Sequence, residues 1–152
     1  MLFLRLVSPL GHCIALEQTV TRADRRKGLL QRDGIEGALL IDRCRSVHTI
    51  GMRFALDVAF VSVQACQAMD ASELRVEVVE RREPTGPGDP RDQQVAEGLS
   101  ARMIDLRINR VLSMPPNCFG LPRFRSNAVL EAEAGSFARW GLAQGQHWSV
   151  KP

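Results

Sequence analysis

Leu56-Asp-Val-Ala-Phe-Val-Ser-Val63 is the stretch on which the fold turns. Its valines favour extended backbone, because branching at Cβ stiffens χ1 in a helix and packs well on a pleated surface. Apolar residues fall at consecutive rather than alternate positions, so both faces must be covered, as in a central strand. Gly37-Ala-Leu-Leu-Ile41 is a second run of that kind. Further along the chain, Leu74-Arg-Val-Glu-Val78 and Ile104-Asp-Leu-Arg-Ile108 alternate strictly, which puts one face on a core and the other in water.

Residues 2–7 and 13–18 are short extended runs around the turn former Ser8-Pro9-Leu10-Gly11, so the chain opens with a hairpin. Thr21-Arg-Ala-Asp24 carries the signature of a helix start. The Thr21 hydroxyl can cap the helix, Asp24 sits in the positive first turn, and Gly28 stops or kinks it. Ala128-Val-Leu-Glu-Ala132 reads as a strand, Ser136-Phe-Ala-Arg-Trp140 as a short helix, and Gln146-His-Trp-Ser-Val150 as a closing strand. Turn formers from Pro84 to Pro90, followed by Arg91-Asp-Gln-Gln94, make 84–98 a long polar loop.

With 152 residues, 45% hydrophobic and 24% charged, the chain is one globular domain with a core that needs no disulfide staples. Its net charge of +3 is almost wholly arginine, since Lys27 and Lys151 are the only lysines. Arginines such as Arg43, Arg81 and Arg139 are spread among acids, which argues against nucleic acid as a partner. Cys13, Cys44, Cys66 and Cys118 are irregularly spaced, with no zinc or thioredoxin-like pattern, and read as small buried apolar residues in a reducing compartment. Their redox state stays open. The apolar opening segment is interrupted by Arg5 and Pro9 and lacks a cleavage site, so it reads as a strand rather than a leader. No stretch approaches the roughly 18 continuous apolar residues of a membrane span, and a cytoplasmic location is expected.

Three segments resemble, in order, the signature of the domain of unknown function 192 family. Thr21-Arg-Ala-Asp-Arg-Arg-Lys-Gly-Leu-Leu-Gln-Arg32 is similar to its Arg-x-x-Gly-Leu-Met-x-Arg element, with Leu30 for the methionine. Cys44-Arg-Ser-Val-His-Thr-Ile-Gly-Met-Arg-Phe-Ala-Leu-Asp-Val-Ala-Phe60 resembles its most distinctive stretch, with Ala55 for a proline. Ala128-Val-Leu-Glu-Ala-Glu-Ala-Gly135 through Gly141-Leu-Ala-Gln-Gly145 is close to its Val-Leu-Glu-x-x-x-Gly and following Gly-x-x-x-Gly. The resemblance covers about 20–63 and 107–150. It implies a mainly β (α+β), mostly antiparallel, barrel-like sheet with one or two short helices, and no established activity. Residues 64–106 then form an insertion that lengthens a hairpin or adds an edge strand.

Four residues are candidates for chemistry. Asp57 enters a run so apolar that its carboxylate must find partners or shift its pKa. It either bonds backbone amides, or pairs with Arg53 or Arg45, to fix the turn into the strand, or it acts as a base. His48, nine residues earlier, is placed to approach it for proton transfer, or is a satisfied structural donor. Cys44 is a nucleophile beside His48 or a buried apolar residue. Glu131 is either a second carboxylate meeting Asp57, as in glycoside hydrolysis, or a strand acid on the solvent face. Arg45, Met52 and Arg53, on the same 44–57 segment, are candidate ligand contacts. Arg22, Arg25, Arg26, Lys27 and Arg32 form the densest basic region, diluted by Asp24 and Asp33 and without interleaved aromatics, so it reads as a solvated helix face. Trp140, Trp148 and Phe137 close the core. No dinucleotide, Walker-type, metalloprotease or nucleophile-elbow motif is present, so neither a cofactor nor a metal is expected.

Three classes of function remain. The first is a small non-catalytic binding or accessory module, monomeric or weakly self-associating, with a small ligand or a protein as partner. The second is a hydrolase-like enzyme using Asp57 with His48 or Glu131, and the third is nucleic-acid contact through the basic helix at 22–32.

Overall fold

The computed structural model describes residues 1–65 and 104–152; the strand expected at 74–78, the loop at 84–98, Cys66 and Arg81 lie outside the described residues. The strands are β1 (Leu2–Val7), β2 (Cys13–Gln18), β3 (Ala38–Asp42), β4 (Leu56–Ala65), β5 (Ile104–Met114), β6 (Ala128–Glu133) and β7 (His147–Lys151). Two short helices, α1 (Arg22–Lys27) and α2 (Ser136–Trp140), complete the described elements. The strands close into a barrel in the order β1-β2-β3-β6-β4-β5-β7, with β7 returning to β1. The mainly β, barrel-like architecture implied by the family resemblance is therefore present. The ladder between β4 and β5 runs on to Ala65 opposite Ile104, so the expected insertion loses its first and last residues to a regular pairing.

All pairings are antiparallel except β2 with β3, which run parallel from Leu16 opposite Ala38 to Gln18 opposite Leu40. Gly37 makes that approach possible. It lies at φ +90°, and a Cβ there would overlap the carbonyl oxygen of Ala15 on β2.

Side chains alternate across the barrel wall and build two cores. Leu16, Leu40, Ala59, Val61, Leu106, Leu130 and Trp148 point inward to the first, which Phe137 of α2 also joins. The intervening residues Leu39 and Ile41 of β3, Val58 and Phe60 of β4, and Val129 of β6 point outward into the second. There Leu29, Val47 and Met52 lie on them from the segments between α1 and β4. Complete burial of a side chain such as Phe60 contributes roughly 1.5–3 kcal/mol, so the outer layer is a true core. This two-sided covering is why β3 and β4 read as unbroken apolar runs.

The outer layer is fastened by Thr49. Its hydroxyl donates to the Pro115 carbonyl at 2.6 Å and accepts from the Cys118 amide at 2.9 Å, while its own amide donates to the Cys118 carbonyl at 2.8 Å. Segment 44–54 is thereby stitched to segment 115–120, and the His48–Phe119 bridge extends the seam.

Candidate functional site

Glu131 is the residue around which a site forms. On β6 it pairs with Val58 of β4, so its side chain leaves the barrel on the outer face. Instead of water it meets the second core and is only 5% exposed, which corrects the expectation of a solvent-facing acid. Burial pushes its carboxyl up to about 7. Among the described residues nothing hydrogen-bonds this carboxyl. It lies on a cavity of about 70 Å³, walled by Leu29, Ile41, Val47, Met52 and Leu56, with Arg25, Arg26, Lys27, Cys44 and His48 also lining it.

Local sequence explains how each wall is placed. α1 is opened by Thr21, whose hydroxyl accepts from the Asp24 amide at 3.1 Å, while the Asp24 carboxylate accepts from the Thr21 amide at 3.1 Å. Burial works against ionisation of Asp24, but the amide bonds from Thr21 and Val20 and the Met1 ammonium outweigh it and hold the carboxyl below its ordinary value. Gly28 ends the helix at φ +48° and turns Leu29 under it, passing close above the Glu131 carboxyl. α1 has no buried residue, as expected of a solvated basic helix, and Arg32 beyond it pairs with Glu17 at 2.8 Å.

Asp57 is elsewhere. It pairs with Ala132 and therefore points into the barrel, on the opposite face from Glu131, so the two carboxylates cannot act as an acid–base pair. Its oxygens accept from the Ser113 hydroxyl at 2.5 Å and from the Phe137 amide at 3.0 Å. One of these bonds is to a backbone amide, though from α2 rather than from the turn into the strand, and neither expected arginine is a partner of Asp57: Arg53 pairs with Asp33 at 2.7 Å, and Arg45 is exposed. With both oxygens engaged and the residue 4% exposed, Asp57 fixes structure.

His48 is exposed, stacks obliquely on Phe119 with centroids 6.3 Å apart, and shares the cavity with Glu131. Met52 is a buried part of the cavity wall. Cys44 lines the cavity, half-buried; burial pushes its thiol up and the neighbouring Glu131 adds to this, the opposite of what activates a nucleophile. Cys13 is exposed and Cys118 half-buried, so the expectation of buried cysteines holds fully for none of the three described.

Sequence reading misses Gly28 and Leu29 as parts of the site, and Thr49 as the residue that fastens segment 44–54 over it. The first two are visible only as a helix stop; Thr49 carries no pattern that singles it out. Among the described residues no three His, Cys, Asp or Glu side chains are placed to hold a metal ion together, and no helix is long and apolar enough to cross a membrane.

The fold and site define a closed β-barrel protein carrying a small cavity on the outside of its wall. No protein-family model matches the chain, and no curated protein matches it. Among solved structures it is similar to a protein from Sinorhizobium meliloti 1021 provisionally described as a transcription regulator. The match has a TM-score of 0.59 at 16% identity and spans 97% of this chain and 92% of that one, a likeness of fold.

Proposed function

We propose that this protein is a small binding module of the domain of unknown function 192 family, working in a reducing compartment, with its ligand site at the Glu131 cavity. One observation carries the reading: a buried carboxyl without a hydrogen-bond partner among the described residues faces a cavity. A carboxyl so largely withdrawn from water costs free energy unless a ligand or water in the cavity satisfies it. The three segments that carry the family resemblance supply every lining residue except Ile41: Arg25 to Leu30, Cys44 to Leu56, and Glu131. A space of 70 Å³ holds a few waters or one polar head group, well short of the several hundred Å³ of a typical ligand pocket. The ligand therefore inserts a head group and leaves the rest outside.

The test is a screen of small carboxylic acids, amines and alcohols by amide chemical-shift changes on wild type and Glu131→Gln. Binding that shifts Gly28, Leu29, Val47 and Glu131, and is altered in the variant, supports the reading. A screen that moves none of these amides overturns it.

A second reading has one observation in its favour: His48 and Glu131, both candidate proton carriers, line the same cavity. A hydrolase-like protein would use this pair and not Asp57. It requires turnover abolished by Glu131→Gln and by His48→Ala, with rates falling on either side of neutral pH.

A further inference from the structure

Four of the arginines dispersed along the chain come together in space: Arg110, Arg123 and Arg125 line one cleft, and the Arg123 backbone is joined to that of Arg45. Residues 43–56 and 106–130 hold seven arginines and no aspartate or glutamate. These two stretches lie side by side: the Gly120 amide donates to the Val47 carbonyl at 2.7 Å, the Arg123 amide to the Arg45 carbonyl at 2.8 Å, and Thr49 joins them as described. On the same surface Phe119, Leu121 and Phe124 are 78%, 73% and 84% exposed. Three large apolar side chains left in water within six residues mark an interaction surface.

The loop that bears them is held firmly. The Arg125 carbonyl accepts from the Ser62 hydroxyl at 2.9 Å and from the Asn109 side-chain amide at 3.1 Å; Asn109 also donates to the Ser126 hydroxyl at 3.0 Å. Asn109 is available for this because it is the extra residue of a β-bulge in β5, lying between the partners of Phe60 and Val61. The backbone is thus fixed while the side chains of Arg123, Phe124 and Arg125 stand out from it. Arg110, Arg123, Arg125 and Phe124 line a cleft of about 380 Å³.

We propose that this surface binds single-stranded nucleic acid, with Phe119 and Phe124 stacking on bases and Arg45, Arg110, Arg123 and Arg125 contacting the phosphates between them. Guanidinium groups alternating with exposed rings, on a surface whose two segments lack carboxylates, match the repeating anion and flat base of a single strand. A duplex hides its base faces from such rings. An acidic protein would match the charge but has no need of the two aromatic faces.

The test uses the full chain and a fluorescent oligouridylate of about 12 nucleotides, read by polarisation. Affinity should fall about 50-fold between roughly 50 and 200 mM salt, as expected for four phosphate contacts. Phe119→Ala and Phe124→Ala should each weaken binding about 5- to 150-fold. Arg123→Glu with Arg125→Glu should abolish it. These side chains are exposed, so unchanged melting curves will show that each variant is folded. No binding at the lower salt, or binding that the two phenylalanine variants leave intact, overturns the proposal. Competition by poly-glutamate of equal length as effective as that by unlabelled oligouridylate also overturns it, in favour of an acidic protein partner.

Discussion

The amide of Phe137 donates to the carboxylate of Asp57 at 3.0 Å, a bond that spans eighty residues of sequence and ties α2 to β4. α2 is a single turn, and its N-cap, Gly135, offers no side chain to accept the free amides. A carboxylate on the neighbouring strand performs that task and brings negative charge to the positive end of the helix. Asp57→Ala should therefore cost roughly 2 kcal/mol, since it strands the buried Phe137 amide, while the exposed Ser113 hydroxyl can turn to water. Asp57→Asn, which can still accept one bond, should cost less. Urea unfolding of both variants is the measurement, and an alanine variant as stable as wild type would refute the structural role.

Glu131 makes stability depend on pH in an unusual direction for an acid. Its carboxyl is raised from 4.5 to about 7, so the folded protein holds this proton more tightly than the unfolded chain does. The contribution is fully present below about 4.5 and is lost as pH rises through about 7, a change of order 3 kcal/mol. Glu131→Gln has no proton to lose. The difference in melting temperature between variant and wild type should widen from pH 4.5 upward and level off above 7. Parallel curves across that range would show that Glu131 is not buried as described.

Thr49→Val keeps the shape of the side chain but removes its hydroxyl from the Pro115 carbonyl and the Cys118 amide. A loss of about 2 kcal/mol is expected, because both partners are left without their bond. Hydrogen exchange should accelerate at the amides of Met52, Asn117 and Cys118, which belong to the same seam, while the β1–β2 hairpin keeps its protection.

Gly37→Ala should be among the most damaging single-methyl changes in the protein. The added carbon meets the Ala15 carbonyl and the backbone is at φ +90°, so strain and overlap together should cost about 3 kcal/mol or more. Thermal unfolding tests it; Gly11→Ala, also at positive φ but with open space around it, separates backbone strain from collision.

Local pattern made the strands legible. β1, β2, β3 and β6 lie within a residue of where alternation and apolar runs put them, and the Thr21 cap and Gly28 stop are where the helix signals fall. β5 runs on to Met114, beyond the alternating stretch, because it completes the ladder opposite Leu56. What local pattern does not encode is which distant segment lies against which face. Glu131 alternates with inward-pointing Leu130 and so reads as a surface acid, yet outward here means beneath Leu29 and Val47. Arg45 and Arg123 are equally far apart in sequence until a backbone bond joins them. The candidate segment 44–57 did contain the cavity wall, but its most conspicuous acid, Asp57, belongs to the barrel interior.

The wall made by β3, β6 and β4 acts as a bulkhead between two compartments. Val129 and Leu130 are chain neighbours, yet one faces the cavity layer and the other the sealed interior. Substitutions at the outward positions Ile41 and Leu56, which line the chamber around Glu131, can reshape it while the inward set keeps the barrel closed. The shape of one side of a single sheet is thereby free to drift without the fold having to follow.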